Sequence, residues 1–445
     1  MKIAIFGTGY VGLVSAVCLA EKGNIVYCID KDLQKIEMLK NGESPIYEPG
    51  LDVLLEKNRD KIFPTIEAQE AIIEADVIII AVGTPFDGQK IDLTYISQAA
   101  IEIGKALRNS KRYRTIVVKS TVIPGTTENL VMPLILEHSQ KAIDQIGFCM
   151  NPEFLREGKA IEDFNNPDRI VLGVTSKKAS QQMLKLYSGF SNAVMVLTNP
   201  TSAEMIKYTA NSFLALTISF SNEIARICET LTGVDSEVIF HGVALDKRIS
   251  PIIDGRLIRP ELTAYLKAGC GFGGSCFPKD VKALASFEKQ RNVEGALLSG
   301  LIRINDSQVE HVFNMGIKNH KKKVSRIAVL GTAFKPDTDD IRESPGIKII
   351  QLALDNNMKV NVQDYIASEN TRGKFNGQIE IHKYPLDAVK NSDIVFITTA
   401  WEKYLKISDA DFEANLKRDA IVVDTRSIYK KRPAKKWRIR IGVGK

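Results

Sequence analysis

The run of apolar and helical segments predicts an α/β protein: two Rossmann-like, doubly wound domains joined by a long central helix and a helical middle. Three observations carry that expectation. Apolar, β-branched runs alternate with helix-like stretches through residues 1–175, the pattern of strands threaded by crossover helices. The runs are apolar throughout, as suits strands buried on both faces of a parallel sheet. A long stretch without Gly or Pro then breaks the alternation, and a second alternating pattern begins near residue 319.

In order, the first set of strands is Ile3–Phe6, Ile25–Ile29, Val77–Val82, Thr115–Lys119, Gly147–Met150 and Arg169–Leu172. From Asn199 to Leu231 the chain holds no Gly or Pro after Pro200, and Gly233 lies just past it. That is one helix with a C-terminal stop, about 45 Å long at 1.5 Å per residue. It is longer than one small domain needs, which leaves surface for a second subunit. The second set of strands is Arg326–Leu330, Lys359–Gln363, Gln378–His382, Ile394–Thr398 and Ala420–Val423. The division is therefore 1–198, a first Rossmann-like domain; 199–318, a helical middle; 319–430, a second Rossmann-like domain; and 431–445, a basic tail.

Composition narrows the class. The chain has 445 residues, 44% hydrophobic and 25% charged, values of an ordinary globular protein. No run reaches the ~18 apolar residues of a membrane span, and no leader is visible before the first strand, so a cytoplasmic protein is expected. Net charge is +7, but residues 430–445 hold eight Lys and Arg and no acid. Removing those eight from 60 leaves 52 bases against 53 acids. The body is neutral, which argues against a nucleic-acid partner, and the tail reads as solvated. The six cysteines form no Cys-x-x-Cys pair and the five histidines no His-x-x-x-His pair, so no metal site is expected.

Gly7-Thr8-Gly9-Tyr10-Val11-Gly12 follows the first strand and opens a helix. The first Gly permits the turn, the second admits a pyrophosphate, and the third lets helix and strand approach. The next strand ends in Asp30, placed to accept from ribose hydroxyls and to repel a 2′-phosphate, which favours NAD over NADP. Further strand ends carry Thr84, Ser120 and Thr121, positioned for cofactor or substrate. Glu153 and Glu157 are four apart and share a face if their segment is helical. Lys207 and Asn211 have the same spacing in the long helix, an ammonium and an amide suited to an oxyanion. In Gly269-Cys270-Gly271-Phe272-Gly273-Gly274-Ser275-Cys276-Phe277-Pro278-Lys279-Asp280, the glycines are expected to leave backbone open to a ligand. Cys276 stands where a helix begins, with Lys279 as a nearby cation and Asp280 as a carboxylate, the setting of a nucleophilic thiol.

Taken together, GTGYVG, VGTP, KSTVIPGT, NPEFLREG, AEMIKYTAN, GGSCFPKD and GTAFKPDTDDIRESP closely resemble the UDP-glucose/GDP-mannose dehydrogenase family, from Met1 to about Tyr429. The family oxidises the primary alcohol of a nucleotide sugar to a carboxylate in two NAD-dependent steps. The resemblance implies a UDP-sugar substrate, UDP-glucose first, with GDP-mannose or another UDP-sugar as the alternative. It implies Cys276 as nucleophile, Lys207 and Asn211 as oxyanion partners, and Asp280 with Glu153 or Thr121 as acid/base groups. It places NAD at Gly7, Gly9, Tyr10, Val11, Gly12, Asp30, Lys35, Thr84, Thr121, Glu157, Lys279 and Arg342. It places substrate at Phe154, Leu155, Arg156, Glu157, Lys207, Asn211, Tyr265, Gly269, Gly273 and Lys335, with an arginine such as Arg248 or Arg256 reaching into a partner subunit of a homodimer or larger homo-oligomer. The segment Ser250–Leu262 looks longer than in many members. A silent sugar-nucleotide binder and a cysteine acyltransferase are the other readings. The four groups Lys207, Asn211, Cys276 and Asp280 argue against the first, and GTGYVG with Asp30 against the second.

Overall fold

The structure is a computed structural model that describes residues 1–190, 192–433 and 435–444. It divides into two compact units, Met1–Ala210 and Asn211–Lys445, with the boundary inside the long helix.

The first unit is built on β1 (Lys2–Phe6), β2 (Ile25–Ile29), β3 (Ile62–Thr65), β4 (Val77–Ile80), β5 (Arg114–Val118), β6 (Ile146–Met150), β7 (Arg169–Val174) and β8 (Val194–Thr198). They form one sheet in the order β3-β2-β1-β4-β5-β6-β7-β8. Only the β6–β7 pairing is antiparallel. Strand order reverses beside β1, and ligands of such sheets lie at the carboxyl ends of strands there. Two strands were missed by periodicity. β3 contains Pro64 and takes the sheet edge, the position that tolerates a missing N–H. β8 takes the other edge with Val194 and Leu197 exposed, so it lacks the uniformly apolar look of a central strand.

In the second unit, a two-residue hairpin, β9 (Ile252–Ile253) and β10 (Arg256–Leu257), occupies the long segment near residue 255. Asp254 and Gly255 both have positive φ, 49° and 73°, as a tight hairpin turn requires. The second sheet holds β11 (Arg326–Leu330), β12 (Lys359–Gln363), β13 (Glu380–Ile381), β14 (Ile394–Ile397), β15 (Ile421–Asp424) and β16 (Arg438–Arg440). Its order, β13-β12-β11-β14-β15-β16, repeats the first six strands of the first sheet. The Leu297–Asn319 helix lays Phe313 on Phe396 of β14, ring centroids 5.9 Å apart, and Ala225, Ala268 and Cys270 share the core of the second sheet.

The long helix runs Pro200–Cys228, 29 residues. Asn199 caps it, its side-chain oxygen accepting the Ser202 amide at 2.7 Å, and Pro200 occupies the first turn, where an N–H has no helical partner.

The basic segment overturns the expectation of a solvated tail. Residues Arg438–Arg440 pair in parallel with β15, and Ile441 is buried in the core. The Gly442 amide donates to Glu229 at 2.8 Å and Arg440 to Asp235 at 3.0 Å. The positive charge pairs with specific acids: Arg438 with Asp409 at 3.3 Å and Arg440 with Glu237 at 3.6 Å. Alternating Arg-Ile-Arg-Ile is a strand pattern that charge counting hides. Deleting residues 431–445 therefore removes a strand and the burial of Ile441, worth about 2 kcal/mol on its own. We expect the melting transition of this unit to fall by about 5 °C or more. Calorimetry of the truncated protein checks this, and an unchanged transition would show that the strand adds nothing.

Candidate active site

The turn after β1 has the geometry of a pyrophosphate cradle. Gly7 has φ +94°, a conformation that favours glycine. A Cβ at Gly12 would overlap the Gly7 carbonyl oxygen, whereas a Cβ at Gly9 would meet nothing within 4 Å. Gly12 is thus required by packing, and Gly9 faces open space. The helix that follows, Tyr10–Glu21, has no side-chain cap and no acid in its first turn. Its N–H groups are available to an anion.

Asp30, at the end of β2, accepts the Thr8 amide at 2.7 Å and the Thr8 hydroxyl at 2.6 Å on one oxygen. The other oxygen takes the Asp32 amide at 3.1 Å. Burial works against its ionisation, but the Thr8 bonds, with Lys35 nearby, hold the carboxyl below its usual range. The second unit provides a control. Gly331 repeats the positive φ at 96°, and a Cβ at Gly346 would crowd the Gly331 carbonyl oxygen as at Gly12. Asp364, at the end of β12, accepts from the Thr332, Ala333, Ile366 and Ala367 amides and the Trp401 indole. Buried and fully engaged, it has no capacity left for a ribose. Half-exposed Asp30 retains it.

At the other strand ends, the Thr84 hydroxyl donates to the Thr121 carbonyl at 2.8 Å, and Ser120 donates to Val82 at 2.7 Å. Both hydroxyls lace loops together; the Thr121 hydroxyl makes no hydrogen bond among the described residues. Glu153 and Glu157 do not share a helical face, because residues 151–156 are irregular. Glu153 instead forms a buried ion pair with Lys207 at 2.9 Å and accepts the Leu155 amide at 2.6 Å. Burial opposes its charge, yet the Lys207 ammonium keeps the carboxyl below its usual range. The Phe154 ring lies 5.3 Å from the Lys207 ammonium and 3.8 Å from the Arg169 guanidinium. Arg156 turns outward to Asp163 at 2.6 Å.

In the second unit, the Asn211 amide donates to Asp280 at 2.7 Å. Lys279 pairs with the other Asp280 oxygen, so the expected cation beside the thiol is engaged by the carboxylate. Cys276 is the N-cap of the Phe277–Gln290 helix. It is the one cysteine of six that is not buried, and Cys270 is sealed in the core with the Thr425 hydroxyl 3.1 Å from its sulfur. The glycine loop is not open backbone. A Cβ at Gly269 would stand 2.7 Å from the Thr425 carbonyl, one at Gly273 2.5 Å from the Glu343 carbonyl, and one at Gly274 2.9 Å from the Phe334 ring. The Gly269 amide and carbonyl are already bonded to Asn222 and Gln308 at 2.8 and 2.7 Å. Close packing requires glycine at these positions.

The Lys335 ammonium lies 5.5 Å from the Phe334 ring, and the Tyr265 ring 6.5 Å from that of Phe277. Arg342 is clamped by Asp340 at 2.9 and 2.7 Å, and Arg248 turns back on Asp246 at 2.6 Å.

Several residues escaped sequence reasoning because only contacts reveal them. Arg426 after β15 bonds the Thr398 carbonyl at 2.7 Å, next to Thr425, which packs on Gly269 of the glycine loop. Lys119 is buried against Asn151 at 3.1 Å, and burial pulls its ammonium down to about 8. Glu204, one turn before Lys207, accepts the Thr127 amide and hydroxyl at 2.8 and 2.6 Å. Burial pushes its carboxyl up to about 7 against those donors. Glu48 is a fourth.

Three family models match the chain: the NAD binding domain of the UDP-glucose/GDP-mannose dehydrogenase family at residues 1–191, its central domain at 201–307 and its UDP binding domain at 328–431. The chain belongs to the UDP-glucose/GDP-mannose dehydrogenase family. It is an NAD-dependent nucleotide-sugar dehydrogenase. The UDP-glucose 6-dehydrogenase AglM of Haloferax volcanii is 38% identical over 97% of this chain and 98% of its own length. TuaD of Bacillus subtilis, a UDP-glucose 6-dehydrogenase, is 41% identical over 96% and 89%. The solved structure of a UDP-glucose dehydrogenase from Pyrobaculum islandicum aligns with TM-score 0.88 and 36% identity, covering 99% of this chain and 97% of that one.

Asp30 is expected to set cofactor choice. Its charge repels a 2′-phosphate, so NADP should support little activity. Asp30→Asn keeps an acceptor for Thr8 while removing the charge, and should narrow the NAD-over-NADP ratio of kcat/KM. Equal kcat/KM for both cofactors in the unaltered enzyme would refute the assignment.

Proposed function

We propose that this enzyme oxidises the C6 alcohol of UDP-glucose to the carboxylate, giving UDP-glucuronate for polysaccharide precursors, by way of covalent intermediates on Cys276. The exposure of Cys276 alone among the cysteines, at a helix N-terminus, carries this reading. The near full-length similarity to UDP-glucose 6-dehydrogenases supports the sugar, and the UDP binding domain supports the nucleotide.

The Gly7–Gly12 turn, Asp30 and Lys35 would hold NAD, which would supply the hydride acceptor for each of two rounds. The remaining work falls to the chain. The first round leaves an aldehyde. The Cys276 thiolate adds to its carbonyl carbon, and the new oxyanion is met by the Lys207 ammonium and the Asn211 amide, groups that gain strength as charge develops. Lys207 has three donors, and it pairs with Glu153 at 2.9 Å. Loss of the second hydride leaves a thioester. Water then attacks the acyl carbon, the carbon–sulfur bond breaks, and the thiol is freed with the carboxylate. Asp280, oriented by Asn211, with Glu153 or Thr121 through water, takes the protons of the first and last steps. The same residues would act on GDP-mannose or another UDP-sugar, so the substrate panel decides the sugar.

Cys276→Ser substitutes a far poorer nucleophile and leaving group. We expect turnover to fall by about a thousandfold or more, with a sugar ester detectable by mass spectrometry. Cys270→Ser, in the same loop, should keep at least about a third of the activity. Normal turnover by Cys276→Ser would mean that the aldehyde is oxidised as its hydrate.

The enzyme is also proposed to be at least a dimer through the long helix. Phe213, Phe220 and Ile227 recur every seven residues and are 52%, 46% and 53% exposed, an apolar stripe that a monomer leaves in water. Phe220→Glu should convert the protein to monomer in sedimentation velocity. A monomeric unaltered enzyme at micromolar concentration would refute the proposal.

A further inference from the structure

Glu48 lies in the loop Asn41–Gly50 and belongs to none of the motifs that mark the chain. The residue is 4% exposed. No Lys, Arg or His pairs with it among the described residues. Three neutral donors satisfy it instead. The Tyr10 hydroxyl and the Gly158 amide, the latter at 2.7 Å, converge on one oxygen. The Ala160 amide donates to the other at 2.7 Å. Burying a carboxylate without a cation is costly, and only a carboxylate accepts on both oxygens; an amide would turn an N–H toward one of these donors.

The donors come from two segments far apart in sequence. Tyr10 follows the second glycine of the cofactor turn. Gly158 and Ala160 end the segment that begins at Asn151 and carries Glu153, Phe154 and Glu157. Glu153 is fixed at the front of that segment by Lys207 and the Leu155 amide. Behind it, Arg156 points to Asp163 at the surface. At its far end, Gly158 has φ +80°, and its amide is held by the hydrogen bond to Glu48. Burial first, then the carboxylates of Glu48 and Glu157, push the Tyr10 hydroxyl well up, so it remains a donor.

We propose that Glu48 is a positioning residue for the dehydrogenase reaction: by joining Tyr10 to Gly158 and Ala160 it ties the cofactor turn to the segment that presents Glu153, Phe154 and Glu157. The turn itself is held independently by Asp30 and Thr8. Loss of Glu48 therefore frees the substrate-side segment while leaving the cofactor cradle formed. The inference rests on the proposed roles of those three residues, not on the identity of the sugar.

The test uses the full-length enzyme with whichever nucleotide sugar the unaltered protein turns over; failure with UDP-glucose alone would revise the substrate and leave this inference standing. Glu48→Gln should lower kcat at least about tenfold and raise the sugar-nucleotide KM severalfold. The NADH dissociation constant, from fluorescence titration, should stay within about twofold. Trypsin should also cut after Arg156 faster than in the unaltered enzyme, reporting the loosened segment directly. Tyr10→Phe removes one of three donors and should lower kcat in the same direction by about threefold, which keeps the test decisive if Glu48→Gln folds poorly. A kcat within twofold of the unaltered enzyme for both variants would overturn the proposal. So would a loss of NADH affinity equal to the loss in kcat/KM, which would mean that Glu48 supports the cofactor turn alone.

Discussion

The placement of Cys276 depends on one packing constraint. Backbone from the glycine loop presses on the second sheet's own loops so closely that no further side chain fits between them. Gly269 meets Thr425, Gly273 meets Glu343 and Gly274 meets Phe334. The Gly274 amide also donates to the Arg342 carbonyl at 2.9 Å. On the opposing strand-end loop, Asp337 and Glu343 take positive φ at 62° and 51°, strain that persists only where the surroundings impose it. A methyl group at Gly273 or Gly274 would push the loop off this surface and carry the thiol with it. The helix that begins at Phe277 then fixes the sulfur's direction.

The two sheets answer the same topology with different chemistry. Both repeat one strand order, one tight glycine after the first strand and one acid after the second. What differs is how much of the acid is consumed by the protein. Asp364 is saturated by five donors, including an indole. Asp30 is held mainly by Thr8 and keeps accepting capacity toward solvent. A fold supplies a crevice, and the hydrogen-bond inventory of a few side chains decides what the crevice takes.

Buried charge follows a consistent logic in the first unit. Glu153 and Lys207 satisfy one another. Glu204 is met by donors of the loop it caps, Glu48 by a phenol and two amides, and Lys119 by an amide oxygen. Such groups cost desolvation energy unless every partner is in place. Each therefore holds the segments around it to one geometry, and those segments carry the candidate catalytic groups.

The fold class and both α/β sheets were legible because uninterrupted apolar strands and a helix without Gly or Pro are periodic signals along the chain. The cofactor turn was legible for a related reason: Gly7, Gly12 and Asp30 are demanded by local backbone geometry, so their spacing survives in one dimension. The same holds for Cys276 at a helix start. Tertiary structure decided the rest. Charge counting read residues 431–445 as solvated, yet Arg440 finds Asp235 and Ile441 finds the core. Spacing would let Glu153 and Glu157 share a face if their segment were helical, but residues 151–156 are irregular and Glu153 pairs with Lys207. The close packing of Gly269, Gly273 and Gly274 against distant segments had no signal in the spacing of the loop. Glu48 had no signal at all, since its importance lies in joining residues 10, 158 and 160. Sequence alone determined what local stereochemistry and periodicity require; which charge meets which partner is settled only when distant segments come within hydrogen-bonding distance, where burial makes an unmatched group costly.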